Sequence, residues 1–442
     1  MDSENLVILP HQLFEINKLT DILPNTKNIK NLNIYIWEHP HYFKTFNYNK
    51  KKLILHRSSM KYYFDYLKKK NLQVSYIQYN DTFNLKDYLV VDPIDKIKLP
   101  GKYELLESPN FLMTKEQYSQ YRQKTDKYLF NNFYMWSKDI LNILPGVKSQ
   151  DKMNRNKLPK NVEIPKLPSN KTDTRYIKEA ISYVETNFPK NYGNVDNFVY
   201  PCTHTTAKKW LRNFISNKFD NFGPYQDAII EGKSFLFHSI LSSSINIGLI
   251  NPSDIVKEVL KVKSKVNLAS LEGYIRQLFW REYQRYCYIY YPFEGKNYFG
   301  NRKKLNKKWY TGELGIKPVD DCIVKGFDTA YLHHIERLMV VGNFMNLYGL
   351  SPMEGFKWFM EFSIDSYLWV MYQNVLDMVF FVSGGATMRK PYASSSNYIL
   401  KMSNYSKGDW SSKWDEYYHD FMKKNKGKLW KFRYHFPGLK KM

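Results

Sequence analysis

Adjacent histidines, His333 and His334, with Arg337 one helical turn beyond the first, are the residues of this chain best placed to do chemistry. Imidazole takes up and releases a proton near neutral pH, so a paired set suits proton transfer. The pair opens the stretch YLHHIERLMVVGNFMNLYGLSPMEGFKWFMEFSIDSYLWVMYQN, Tyr331 to Asn374. Leu338, Met339, Val341, Phe344, Met345 and Leu347 follow at mixed three- and four-residue spacing, which predicts a largely buried helix. Trp358, Phe359 and Trp369 lie on further helical patterns, with Asp365 between them. Imidazoles, a guanidinium and indoles at buried helical spacing suit an aromatic cofactor better than a hydrolytic site. An ordinary aromatic-rich core has the same composition, and residue types alone leave both readings open.

The chain that must position these groups has 442 residues, enough for two or three domains with sizeable cores. Aromatic residues make up 17%, which excludes an intrinsically disordered chain. The formal charge of +24 favours a polyanionic partner, nucleic acid first and an anionic membrane surface second. Three dispersed cysteines (Cys202, Cys287, Cys322) form neither a disulfide framework nor a CxxC metal pair. The N-terminal MDSENLVILP lacks the pattern of a secretory signal, and no apolar run is long enough for a membrane span. A soluble intracellular protein is expected.

Residues 1–142 read as an α/β domain. Leu6–Leu9, Leu32–Trp37, Leu72–Ile77 and Tyr88–Val91 are strand-like runs, separated by helical patterns such as His56–Lys69, and this alternation predicts a parallel sheet. No glycine precedes Gly101, so a glycine-rich phosphate cradle is excluded here. Residues 143–172, rich in Pro, Lys and Asn, read as a linker. Residues 173–442 read as all-α, with apolar periodicity over Arg175–Asn187, Thr205–Phe219, Ile255–Val262 and Ser270–Tyr290. A lysine-rich end, DFMKKNKGKLWKFRYHFPGLKKM, either lies along DNA or solvates the C-terminus.

Long motifs then narrow the reading. FGPYQDAI (Phe222–Ile229), FHSILSSSINIGLI (Phe237–Ile250), EGYIRQLFWREY (Glu272–Tyr283), HHIERLMVVGNF and GGATMRKPYASSSNYILKMSNY (Gly384 to Tyr405) resemble, in this order, the cryptochrome/photolyase superfamily. The resemblance is to its bacterial-type iron–sulfur branch of (6-4) photolyases. It implies a doubly wound parallel-sheet antenna domain followed by an all-α FAD-binding domain. It also implies UV-damaged DNA as partner and a monomer with no membrane association. The expected activity is blue-light-driven, FAD-dependent repair of pyrimidine photoproducts, (6-4) lesions first.

Carried over residue by residue, the resemblance assigns FAD binding to Tyr225, His238, Ser239, Leu241, Ser242, Gln277, Arg281, Arg337, Asn343 and Asn374. Gln277 and Arg281 are four apart, hence on one helix face. Asp377 stands where the family has a smaller residue and would put a carboxylate near the flavin ring. His334, with His333 beside it, matches the proton donor, and Tyr392 and Tyr398 match lesion-side tyrosines. Trp309, Tyr310 and Trp358 match electron-relay positions, with redox-inert Phe359 where the family often has tyrosine. Glu38 matches an acid beside the family's ribityl lumazine antenna, and a surface carboxylate after a strand fits as well. Asp151 matches a loop acid linked to divalent cations, or is a solvated aspartate.

The family's [4Fe–4S] cluster needs four thiolates. Here only Cys322 matches, the other positions being Ser406, Asp409 and Ser412. No cluster is expected, nor any other bound metal, with Trp410 and Trp414 filling the space. Two alternatives remain: a cryptochrome-like FAD photoreceptor without repair, and a light-independent nucleic-acid-binding protein with a degenerate flavin site.

Overall fold

The structure is a computed structural model, which describes residues 4–153, 155–159 and 161–440. Lys441 and Met442 of the lysine-rich end lie outside the described residues.

The strand-like runs form β1 (Asn5–Ile8), β2 (Asn33–Trp37), β3 (Gln73–Ile77) and β4 (Asp87–Val91), joined by an unforeseen β5 (Lys102–Leu106). All pair in parallel, in the order β3-β2-β1-β4-β5. Leu6, Val7 and Ile8 of β1 are wholly buried, as a central strand covered on both faces requires. The helical pattern around His56 becomes α1 (Lys50–Lys68), whose Asn49 side chain accepts from the Lys51 N–H to cap it. α2 (Thr174–Asn187) packs along α1. α3 (His204–Asn217) starts at a capping box between Thr203 and Thr206. Buried Asp173 accepts from both of those hydroxyls and from the Cys202 N–H, pinning the start of α3.

The remainder is helical: α4 (Pro252–Lys261), α5 (Leu268–Tyr290), α6 (Lys317–Thr329), α7 (Pro352–Phe362) and α8 (Asp409–Lys424). The apolar stretch after His334 is helical as its spacing predicts, but it is wound as a π-helix over Glu336–Gly342, and Tyr372–Val379 is a second π-helical stretch. π-Helical turns concentrate at functional sites.

Two compact units result. The sheet unit takes the chain up to Ser119, then Pro165–Phe219 and Ser239–Val266. The helical unit takes Gln120–Ile164, Asp220–His238 and the chain from Asn267 onward. Among the described residues no helix is long and apolar enough to cross a membrane.

Candidate functional site

The helical unit brings the two histidines together with a third. The His238 and His333 rings stack at 4.8 Å and 15°, and His334 meets His238 edge-on at 5.7 Å. Their exposures divide the roles. His333 is 2% exposed, whereas the His334 side chain is 40% exposed and can reach a ligand from solvent. Burial holds His333 well below the usual imidazole range, with the neighbouring His238 and His334 adding to the effect. Glu336, also buried, lies with Oε2 3.6 Å from His333 Nε2 and is ion-paired to Lys325. Burial raises the Glu336 carboxyl and Lys325 draws it back.

His334 is held by a residue that the sequence reading did not single out. Its Nε2 lies 3.1 Å from Asp227 Oδ1, which makes the ring Nε2–H the donor and the carboxylate the acceptor. Asp227 Oδ2 lies 3.8 Å from Arg155 Nε. Asp151 bridges to Arg276 at 2.7 Å and to Arg155 at 3.4 Å, so this loop acid belongs to a charged array rather than standing alone in solvent. Glu272, wholly buried, accepts from Tyr134 Oη and from the Gln150 N–H, tying that loop to α5. Burial raises the phenols of Tyr392 and Tyr398. Asp151 and Asp227 push Tyr392 further up, Asp227 does the same for Tyr398, and Arg155 opposes on both. His334, Asp227, Arg155, Tyr392 and Tyr398 thus form one half-buried polar array.

The residues matched to a flavin fall on α5, on the two π-helical turns and beside them. The Arg281 guanidinium lies 4.9 Å over the Trp369 ring, and Gln277, one turn before it, reaches Gln226 only at 3.4 Å. Arg337 is locked in a two-point ion pair with Asp365, 2.9 and 3.2 Å, and donates to the Leu332 carbonyl. Asn343 exchanges hydrogen bonds with Ser394, donating from Nδ2 to Oγ at 2.8 Å and accepting from its N–H. Asn374 accepts from Trp280 Nε1 at 2.9 Å and donates to the Val370 carbonyl at 2.7 Å. Tyr225 lies against Phe237, ring centroids 5.9 Å apart. Two guanidiniums and three amides on these helical stretches are donor types that suit an anionic aromatic cofactor, although Arg337, Asn343 and Asn374 spend donors within the chain.

Asp377 plays a different part from the one expected of a carboxylate beside a flavin ring. It is wholly buried and accepts from the Ser383 N–H at 2.8 Å, from Ser383 Oγ at 2.7 Å and from Thr387 Oγ1. Burial raises its carboxyl and these donors offset the rise. Its charge is consumed in holding the turn after the second π-helical stretch.

Of the aromatic relay positions, Trp309 and Trp358 are buried and Tyr310 is half-buried. Trp358 donates its indole N–H to the Trp309 carbonyl at 2.7 Å, and Tyr310 donates to Glu361 at 2.8 Å. Phe359 meets Trp358 edge-on at 5.3 Å. Around Cys322, burial pushes the thiol well up, with Glu336 adding to the rise. Tyr405 donates to Asp321 next to it, and Trp410 donates to the Ser406 carbonyl. Trp414 packs instead on Phe344, 5.3 Å, and donates to Ser394. One neutral thiol beside an indole and a phenol does not fit a [4Fe–4S] cluster.

In the sheet unit, Glu38 is wholly buried, not a surface carboxylate. Oε1 accepts from Arg57 and Tyr76, and Oε2 from the Tyr79 N–H and Tyr183. With all four acceptor positions filled by the chain, the Glu38 carboxylate does not fit a ribityl lumazine. Ser239, Leu241 and Ser242 also lie in this unit, flanking Ile240 at φ +57°. A β-branched residue avoids that region, and such strain gathers at ligand-clamping loops.

The family model for deoxyribodipyrimidine photo-lyase-related protein matches residues 6–97 and 82–200. A (6-4) photolyase of Agrobacterium fabrum is 37% identical over 267 residues, covering 57% of this chain but only 53% of that relative. The uncharacterised protein R853 of Acanthamoeba polyphaga mimivirus is 46% identical over 107 residues, 23% of this chain and 83% of that one. In fold, the chain is similar to a bacterial class III photolyase from Agrobacterium tumefaciens, with TM-score 0.58 and 14% identity over 96% of this chain and 87% of that one. It is similar too to a Synechocystis cryptochrome, with TM-score 0.60 and 12% identity over 96% and 89% of the two chains.

Proposed function

Because the chain belongs to the cryptochrome/photolyase superfamily, in its bacterial-type branch, we propose that it is a blue-light-driven DNA photolyase acting on (6-4) lesions. The observation that carries this reading is the half-exposed His334 held by Asp227, in one array with Tyr392 and Tyr398. A (6-4) lesion needs a proton at the moment it receives an electron, and a positioned imidazole is suited to give it. The Agrobacterium fabrum relative, itself a (6-4) photolyase, supports the lesion type.

FAD is the cofactor of this reading, and Gln277, Arg281, Arg337, Asn343 and Asn374 would hold it. Its chemistry there would be the donation of an electron to the lesion from the reduced, light-excited state. Arg281, over the Trp369 ring, is placed to pair with an anionic group, and the Arg337–Asp365 pair fixes the first π-helical turn. Asp227 holds the His334 Nε2–H, so a proton given to the lesion would come from the imidazolium, through Nδ1–H. Tyr392 and Tyr398, neutral throughout the working range, donate without becoming charged. No iron–sulfur cluster and no antenna at Glu38 enter this mechanism.

The test uses reduced, flavin-loaded protein under blue light with oligonucleotides carrying one defined lesion, followed by chromatography. Wild type should clear the (6-4) lesion, and His334→Ala should slow clearance by about 10²–10⁴-fold, the range of a general acid. Loss of only a cyclobutane lesion would keep the enzyme and overturn the lesion type. Repair of neither, with photoreducible flavin bound, would make the chain a photoreceptor.

A further inference from the structure

His238, His333 and His334 have a second capacity, because one nitrogen from each ring lies within 4.8 Å of the other two. Two of the rings are already oriented by acceptors on their far side. His238 Nε2 bonds the Gln226 carbonyl at 2.9 Å and His334 Nε2 bonds Asp227 at 3.1 Å. Each ring therefore carries its proton on Nε2 and keeps the Nδ1 lone pair. Metal-ligating histidines are held in this way, the remote N–H donated to a carbonyl or a carboxylate. His333 supplies the independent sign of a ligand: its Nε2 is buried and has no hydrogen-bond partner, Glu336 Oε2 standing off at 3.6 Å.

We propose that these three imidazoles form a binding site for a borderline divalent transition metal, of which zinc is the type. Three histidines with an open fourth position suit zinc, copper or nickel and not magnesium or calcium, which take oxygen ligands. At metal–nitrogen bonds of about 2.0–2.1 Å tetrahedral nitrogens stand roughly 3.3 Å apart, so they must draw in by up to roughly 1.5 Å. Rotation of the stacked His238 and His333 rings is the movement that would supply this. His333 then binds through Nε2, moves its proton to Nδ1 and gives up only the long 3.3 Å contact from the Ile335 N–H. Asp227 and Glu336 bring negative charge to the site, which Arg155 and Lys325 partly balance.

Occupancy has a functional cost. The metal takes the His334 Nδ1 that the proposed repair chemistry presents to the lesion, so metal and repair exclude one another. This consequence rests on the photolyase reading, whereas the binding site does not.

The experiment titrates flavin-loaded protein with zinc in a non-coordinating buffer by calorimetry, and with cobalt(II) followed by its visible d–d absorption. One equivalent should bind, with tetrahedral cobalt intensity and an unchanged flavin spectrum. His238→Gln and His333→Ala should each weaken binding at least 10-fold, while His419→Gln, at an exposed position of α8, should leave it unchanged. If His333→Ala does not fold, His238→Gln decides. Absence of saturable binding, or binding that His238→Gln leaves intact, overturns the site whatever the repair assay shows. Zinc bound without loss of repair would overturn the exclusion and keep the site.

Discussion

Asp227 and His334 behave as one unit, and the carboxylate is a positioning residue whose effect can be separated from the imidazole's. Asp227→Asn keeps an acceptor near Nε2 but removes the carboxylate that holds the ring. Clearance of the lesion at saturating DNA should fall by roughly 10-fold while DNA affinity and flavin content stay constant. An unchanged clearance rate would reduce Asp227 to a packing residue. His334 was legible in the sequence because HHIERLMVVGNF names it. Its partner was not, although Asp227 stands in FGPYQDAI, because the contact joins residues 107 apart and no local period encodes it. Glu38 shows the converse. The sequence marked the residue, but only the structure shows its carboxylate saturated by Arg57, Tyr76, Tyr79 and Tyr183.

Among the elements, the two π-helical turns depend on close approach. A Cβ added to Gly342 would lie 2.7 Å from the Arg337 carbonyl and from Val379, and one added to Gly355 on α7 would lie 2.3 Å from the Phe380 ring. Gly342→Ala and Gly355→Ala should each cost about 1–3 kcal/mol by overpacking. Because Arg337 and Asn374 sit on these turns, flavin occupancy after purification should fall with them. Thermal unfolding and flavin-to-protein absorbance ratios measure the two effects. Four of five strands and the longer helices were legible because apolar periodicity is a local property. β5 was not, since KYELL alternates charge with partial exposure at the sheet's edge. The π-helical turns were not either, as their extra residue per turn blurs the 3.6-residue period.

The molecule as a whole carries two further expectations. With a formal charge of +24, DNA affinity should fall on the order of 10²–10³-fold between 50 and 200 mM salt, with equal slopes for damaged and intact duplex. Fluorescence anisotropy across a salt series measures this, and a flat response would remove phosphate contacts from the account. The sheet unit should also be acid-sensitive. Burial lowers His11 to about 3 and His41 to about 4, with His39 and Lys52 adding repulsion, and His56 lies well below its usual range. Unfolded histidines titrate near 6.5, so below that pH the unfolded chain binds more protons and stability falls as pH falls. The melting temperature should drop by about 5–10 °C from pH 7 to pH 5. A constant value would mean that the histidines are not buried neutral.

The interleaving of the two units bears on how the protein is made. A ribosome finishes the five strands early, but α3 and α4, which belong to the same unit, follow only as the chain reaches Val266. At about 5–20 residues per second the nascent sheet waits on the order of ten seconds for its last segment, with β5 and its open edge presented to any other unfinished strand. Slow synthesis or crowded polysomes should therefore raise the aggregated fraction, and a chaperone that shelters nascent β-edges should restore yield without altering the finished protein.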